Sequence, residues 1–160
     1  MTVTAAARPL DRLFEEYGES HRNRINKTIH FIAVPLIYLS IMGLLWAIPV
    51  PAFMAGLPGV NWATLAFLPA LAYYLRLSTI MAVCMIVLTA LCFQVLRTVE
   101  AAGLSVLWFS VVLFVVMWIL QFVGHHIEGK KPSFFKDLQF LLIGPAWILG
   151  FLLRKAGIPY

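Results

Sequence analysis

The sequence predicts an all-α, polytopic membrane helical bundle, and composition and charge spacing carry that prediction. Of its 160 residues, 62% are hydrophobic and 12% are charged, with a mean hydropathy of +0.90. Soluble domains usually contain about 25% charged residues, so the composition excludes an ordinary soluble protein. No Asp, Glu, Lys or Arg occurs between Lys27 and Arg76, or between Glu100 and Glu128. Such intervals can hold helices that cross a hydrocarbon core of about 30 Å, and the length fits one integral membrane domain over residues 1–160.

The first element is predicted to be a short amphipathic helix over residues 9–20. Pro9 suits the first turn of a helix, where its missing N–H costs no hydrogen bond. The apolar stripe of this helix can lie on the membrane surface or pack against the bundle. Its apolar residues follow the i, i+3, i+4, i+7 spacing of one helical face, and they are Leu10, Leu13, Phe14 and Tyr17.

Four to five apolar runs follow the amphipathic helix and are predicted to be membrane spans. The last run has only 16 residues and contains Gly144 and Pro145. It is therefore compatible with a short span, a broken span or a re-entrant hairpin. The predicted spans cover residues 29–48, 62–75, 78–96, 104–123 and 138–153.

The basic residues predict how these spans are oriented. Five Lys or Arg residues precede the first span, whereas the loop at residues 49–61 contains none. Cytoplasmic loops carry an excess of Lys and Arg, so the N-terminus is expected in the cytoplasm, together with Lys130, Lys131 and Lys136. We expect an integral protein of a bacterial inner membrane, or of the endoplasmic reticulum if the source is eukaryotic.

All four histidines lie outside the predicted spans or at their edges. They form two groups, His21 with His30 and His125 with His126, and the predicted orientation places both groups on the cytoplasmic face. A neutral imidazole is the commonest metal ligand among side chains. Sites with two histidines and a carboxylate, such as Glu128, suit oxygen-activating ferrous iron. The sequence therefore predicts a metal site at this face, with three or four histidine ligands.

Spacing alone leaves the geometry of this site open. His21 and His30 are nine residues apart, which would place them on opposite faces of an unbroken helix. They can share a metal only if the chain turns between them, for example at Asn23 or Asn26. The alternative is that these histidines are amphipathic interface side chains whose polar end reaches water.

Two segments resemble the signatures of a known membrane family. The run from Tyr17 to Pro35 (YGESHRNRINKTIHFIAVP) resembles its opening, and the run from Trp118 to Pro132 (WILQFVGHHIEGKKP) resembles its second signature. This family, long described only as a domain of unknown function, includes the fungal endoplasmic-reticulum 2-hydroxy fatty acid dioxygenase of phytosphingosine degradation and many bacterial proteins. The resemblance extends from about Tyr17 to Pro145.

The resemblance implies an Fe²⁺-dependent dioxygenase that performs α-oxidation. A 2-hydroxy fatty acid would react with O₂ and lose its carboxyl carbon, leaving a chain one carbon shorter. The implied partners are the lipid bilayer, the 2-hydroxy fatty acid and O₂, and Zn²⁺ is a possible bound substitute because imidazole suits both metals. The resemblance matches the metal-ligand positions to His21, His30 and His125, and the flanking polar positions to Asn26, Gln121 and Glu128.

Several alternatives remain open at this point. His126 is the fourth candidate metal ligand, and Gln121 can orient His125 from four residues earlier on a helix. A haem-binding or electron-transfer membrane protein and a non-enzymatic lipid-binding protein are the competing functional classes. Histidines outside the spans or at their edges weigh against a haem held within the bundle. No segment resembles a phosphate-binding loop, a hydrolase nucleophile or a nucleic-acid module, so no nucleic-acid partner is expected.

Overall fold

A computed structural model describes residues 8–57, 59–131 and 139–160, and within these ranges the chain is helical with no strand. The predicted all-α class is therefore confirmed for the described residues. Lys136 and the first residue of the last predicted span lie outside them. The helices are α1 (Pro9–Gly18), α2 (Arg24–Trp46), α3 (Ala52–Ala55), α4 (Trp62–Leu77), α5 (Thr79–Ala101), α6 (Val106–Glu128) and α7 (Phe140–Lys155).

Polar side chains determine where the long helices begin. The side-chain oxygen of each N-cap residue accepts a hydrogen bond from a backbone N–H in the first turn, which has no partner within the helix. At the other end, α6 stops at Gly129, which adopts a φ of +71° that favours glycine. The N-caps are Asn23 for α2, Asn61 for α4, Ser78 for α5 and Ser105 for α6.

Within the described ranges, three helices are long and apolar enough to cross a membrane. These are α2, α5 and α6, each of 23 residues, which rise about 34 Å and exceed a core of about 30 Å. Helices α4 and α7 contain 16 residues each and rise only about 24 Å. The structure thus supports an integral membrane protein, but the predicted count of four to five spans is not confirmed. The type of membrane and the orientation stay predictions.

Helices α2 and α6 form a close antiparallel pair that organises the bundle. A Cβ at Gly43 would overlap the hydroxyl of Ser110, and a Cβ at Gly124 would overlap the side-chain oxygen of Asn26. Small residues allow two membrane helices to approach in this way. Because Asn26 lies in the first turn of α2 and Gly124 is near the end of α6, the start of α2 lies beside the end of α6.

The amphipathic helix α1 packs against α7. The ring of Phe14 lies against Gly150, and the ring of Tyr17 lies 5.4 Å from that of Trp147. Helix α7 continues through Gly144 and Pro145 without a break, so its described residues form neither a broken span nor a hairpin. Helix α7 also packs beside α2, where the ring of Phe31 lies 4.9 Å from that of Phe151.

Candidate metal centre

Three histidines from separate parts of the chain meet in one buried cluster. His21 lies in the turn between α1 and α2, His30 in the second turn of α2, and His125 in the last turn of α6. Their exposed fractions are 1%, 1% and 4%. One ring nitrogen of each lies within 4.8 Å of the other two. The antiparallel packing of α2 and α6 thus brings together residues that are far apart in sequence.

The turn required between the first two histidines is present. Helix α1 ends at Gly18 and α2 begins after its N-cap Asn23, so His21 belongs to neither helix. Its ring is therefore free to face His30, and the two ring centroids lie 4.2 Å apart. The nine-residue spacing is compatible with a shared site for this reason.

Backbone carbonyls orient two of the three imidazole rings. His21 Nδ1 lies 2.6 Å from the carbonyl oxygen of Tyr17, and His30 Nδ1 lies 2.9 Å from that of Asn26. A carbonyl oxygen only accepts hydrogen bonds, so each Nδ1 carries the proton and each Nε2 keeps a lone pair. His21 Nε2 is buried and has no hydrogen-bond partner among the described residues. The lone pair on His21 Nε2 is thus available to an electrophile inside the cluster.

The distance between two of the three rings fits a shared metal ion. His30 Nε2 lies 3.1 Å from His125 Nε2, and their ring planes are nearly perpendicular at 89°. Two nitrogens bound about 2.1 Å from one ion, at tetrahedral or right-angled positions, lie roughly 3.0–3.4 Å apart. Neutral imidazoles suit iron and zinc alike. The donor set therefore fits the divalent cation that the sequence predicted.

Burial keeps His21 in the form that binds a metal. Removal from water disfavours the charged imidazolium, and this burial lowers the pKa of His21 to about 4. The ring is therefore neutral at pH 7. A neutral imidazole with its proton on Nδ1 presents Nε2 as a ligand.

Glu128 holds the turn that precedes α2. Its Oε1 accepts the backbone N–H of Arg22 at 2.8 Å, and its Oε2 accepts that of Asn23 at 2.8 Å. Oε2 also accepts a hydrogen bond from Asn26 Nδ2 at 3.0 Å, and this nitrogen also donates to the carbonyl of Ser20 at 3.0 Å. Both carboxylate oxygens thus bind the turn, and Glu128 lies outside the group of three converging histidines.

The other flanking residues are also near the cluster. Asn26 is fully buried and its backbone carbonyl holds the His30 ring. Gln121 is 7% exposed and lines the same cleft as His30 and His125. The sequence spacing had suggested His125 as the partner of Gln121. That pairing stays a prediction.

His126 lies apart from the cluster. It is exposed, whereas its neighbour His125 is buried, because successive residues on an α-helix point about 100° apart. The group of converging histidines does not include it. Of the two alternatives left open by the sequence, the geometry therefore favours three histidine ligands over four.

Two aromatic side chains that were not predicted to belong to the site lie against the histidine cluster. Tyr17 stacks on His21 with ring centroids 4.2 Å apart, and Trp147 lies 5.6 Å from the same ring. The four-residue spacing between Tyr17 and His21 was a usable signal. No local pattern pointed to Trp147, because it arrives from α7 at the other end of the chain.

Comparison with known proteins identifies a family. A protein-family model described as 2-hydroxy-palmitic acid dioxygenase Mpo1-like matches residues 7–156. That range contains the whole histidine cluster and most of the chain. No curated protein and no solved structure shows significant similarity to this sequence.

Proposed function

Because the chain belongs to the Mpo1-like family of 2-hydroxy-palmitic acid dioxygenases, we propose that it is an Fe²⁺-dependent membrane dioxygenase that shortens 2-hydroxy fatty acids by one carbon. The observation that carries this proposal is the buried cluster of His21, His30 and His125. It combines neutral nitrogen donors with a position between apolar helices. A lipid substrate can reach such a site without leaving the membrane.

The proposed reaction balances without an external reductant. In net terms, RCH(OH)COOH + O₂ gives RCOOH + CO₂ + H₂O. The bond between the carboxyl carbon and the hydroxyl-bearing carbon breaks, and these two carbons together lose four electrons. O₂ accepts the four electrons, and all five oxygen atoms are accounted for in the fatty acid, CO₂ and water. A bound Fe²⁺ would supply the one-electron chemistry that O₂ requires and a Lewis acid for the substrate oxygens.

The protein side chains would hold the ion and leave room for the reactants. Three neutral imidazoles, from His21, His30 and His125, occupy fewer positions than iron offers. The carbonyls of Tyr17 and Asn26 accept the Nδ1 protons of two rings, which fixes the rings and raises their basicity as ligands. Open positions then remain for the carboxylate and hydroxyl of a 2-hydroxy acid and for O₂.

The cluster geometry supports an ion more than a haem. Axial haem ligands face each other across the plane of the macrocycle. In this protein His30 and His125 approach to 3.1 Å with nearly perpendicular rings, and His21 lies beside both. This arrangement leaves no plane between the nitrogens for a porphyrin.

The proposal is tested by metal analysis and product analysis of detergent-purified protein. We expect about one iron per chain, no haem absorption band, and conversion of 2-hydroxypalmitic acid to pentadecanoic acid with consumption of O₂. His21→Ala, His30→Ala and His125→Ala should each lose metal and activity. His126→Ala is the matched control and should retain both. Full activity and metal content in all three cluster variants would contradict the proposal.

A further inference from the structure

A cleft opens from the histidine cluster and follows one face of α2. Its lining begins with His30 and continues at successive turns of the helix with Val34, Ile37 and Ile41. These positions recur at the spacing of a single helical face. The cleft is therefore polar where it meets the cluster and apolar farther along α2.

The other walls of the cleft are likewise polar near the histidines and mainly apolar farther away. Gln121 and Trp118 line it from α6, in the order in which that antiparallel helix leaves the cluster. Tyr38 also contributes, but its hydroxyl is bonded to Thr89 Oγ1 at 2.7 Å, so this polar group already has a partner. The far part of the cleft thus presents mainly apolar surface.

A glycine keeps the cleft open near the cluster. Gly144 of α7 lines it, and a Cβ there would lie 3.1 Å from the Tyr17 hydroxyl and 3.3 Å from Val34 Cγ1. Both distances are tighter than ordinary contact, so a side chain at this position would narrow the passage. With no side chain at this position, a single cleft is lined both by the histidines and by the apolar residues of α2.

Resting on the function proposed above, we infer that this cleft receives the acyl chain of the substrate and that Ile41 sets the chain length it prefers. From His30 to Ile41 the helix rises about 16 Å. An extended acyl chain advances roughly 1.25 Å per carbon, given C–C bonds of about 1.5 Å, so roughly thirteen carbons span the same length as this part of the helix. The acid in the family description, 2-hydroxypalmitic acid, has fourteen carbons beyond the one that bears the hydroxyl.

The inference is tested by binding, which does not depend on turnover. The protein is purified in detergent and loaded with Zn²⁺, which supports no redox chemistry. Tritiated 2-hydroxypalmitic acid is then displaced by 2-hydroxydecanoic acid in one series and by unlabelled 2-hydroxypalmitic acid in another. The measured quantity is the affinity for the longer acid divided by that for the shorter one, compared between variants in the same detergent.

Ile41→Trp is the informative variant, because Ile41 is half-buried and a larger side chain can be tolerated there. The larger side chain would clash with the end of the longer acid but not with the shorter one. We expect this clash to lower the affinity ratio by about tenfold. Ile32→Trp is the matched control, since Ile32 lies on the same helix but is exposed away from the cleft, and its ratio should equal that of the wild type. An unchanged ratio in Ile41→Trp would overturn the inference.

The outcomes for the cleft and for the reaction are distinguishable. If Ile41→Trp shifts the length preference but the iron-loaded protein converts no 2-hydroxy acid, the result supports the acyl-chain cleft and refutes the proposed function. Conversion of 2-hydroxypalmitic acid by a protein whose length preference ignores Ile41 supports the function and refutes the cleft. Failure of the wild-type protein to bind either acid refutes the cleft directly.

Discussion

The turn that carries His21 should depend on Glu128, and Glu128→Gln tests this dependence. The carboxylate accepts hydrogen bonds from two backbone N–H groups and from Asn26 Nδ2. Glutamine has the same shape but replaces one acceptor oxygen with an NH₂ group, which would face N–H donors. At least one charge-assisted bond is lost, and such bonds contribute about 1.5–3 kcal/mol each.

The loss should appear as weaker metal binding. Glu128 is only partly buried, so solvent weakens its hydrogen bonds to the turn. We therefore expect Glu128→Gln to destabilise the ordered turn, relative to looser conformations, by about 1.5–2.5 kcal/mol. That range corresponds to roughly 10–70-fold in an equilibrium constant, similar to the effect of other residues that orient metal ligands. We therefore expect Glu128→Gln to bind Zn²⁺ or Fe²⁺ about 10–70-fold more weakly.

Competition with a chelating indicator measures this affinity, and circular dichroism checks that the helices persist. Glu100→Gln is the matched control. Glu100 accepts a hydrogen bond from Trp46 Nε1 at 2.9 Å near the end of α2, away from the cluster, so its loss should leave metal affinity unchanged. Wild-type affinity in Glu128→Gln would refute the positioning role. Wild-type affinity combined with lost turnover would instead identify Glu128 as a catalytic group.

Two further predictions concern stability. Gly124→Ala would force a Cβ against the side chain of Asn26. It should lower the free energy of unfolding by about 1–3 kcal/mol, measured by denaturing the detergent-solubilised protein. Gly56→Ala, with open space around the added atom, should change it little. In metal-free protein, unfolded His21 binds a proton near pH 6.5 but folded His21 only near pH 4. The free energy of unfolding should therefore fall by on the order of 3 kcal/mol as the pH drops from 6.5 to 4. His21→Asn should make the free energy of unfolding depend less steeply on pH.

Much of the helical framework could be predicted from the sequence, because hydrophobic runs and capping residues act locally. Asn23 and Ser78 begin helices through hydrogen bonds within a few residues, and Pro9 starts α1. The number of membrane spans was less predictable. A mostly apolar helix of 16 residues such as α7 is too short for its sequence alone to show whether it crosses the membrane or packs against the bundle.

The sequence indicated the three histidines that meet in the cluster, together with His126, but not how they are arranged. Grouped histidines, supported by the family resemblance, indicated His21, His30 and His125. Separating His125 from His126 required the rotation of α6 against α2, which depends on close contacts at glycines such as Gly124. The bonds from Glu128 to the turn before α2 span more than one hundred residues of sequence, so local pattern could not reveal them.

The most direct test of the central claim is iron content measured together with product formation in paired variants of the adjacent histidines. Purified His126→Ala should contain about as much iron as the wild type and convert 2-hydroxypalmitic acid to pentadecanoic acid, because His126 is exposed outside the cluster. Purified His125→Ala should lose both the iron and the product. Equal iron and equal product in the two variants would contradict the account.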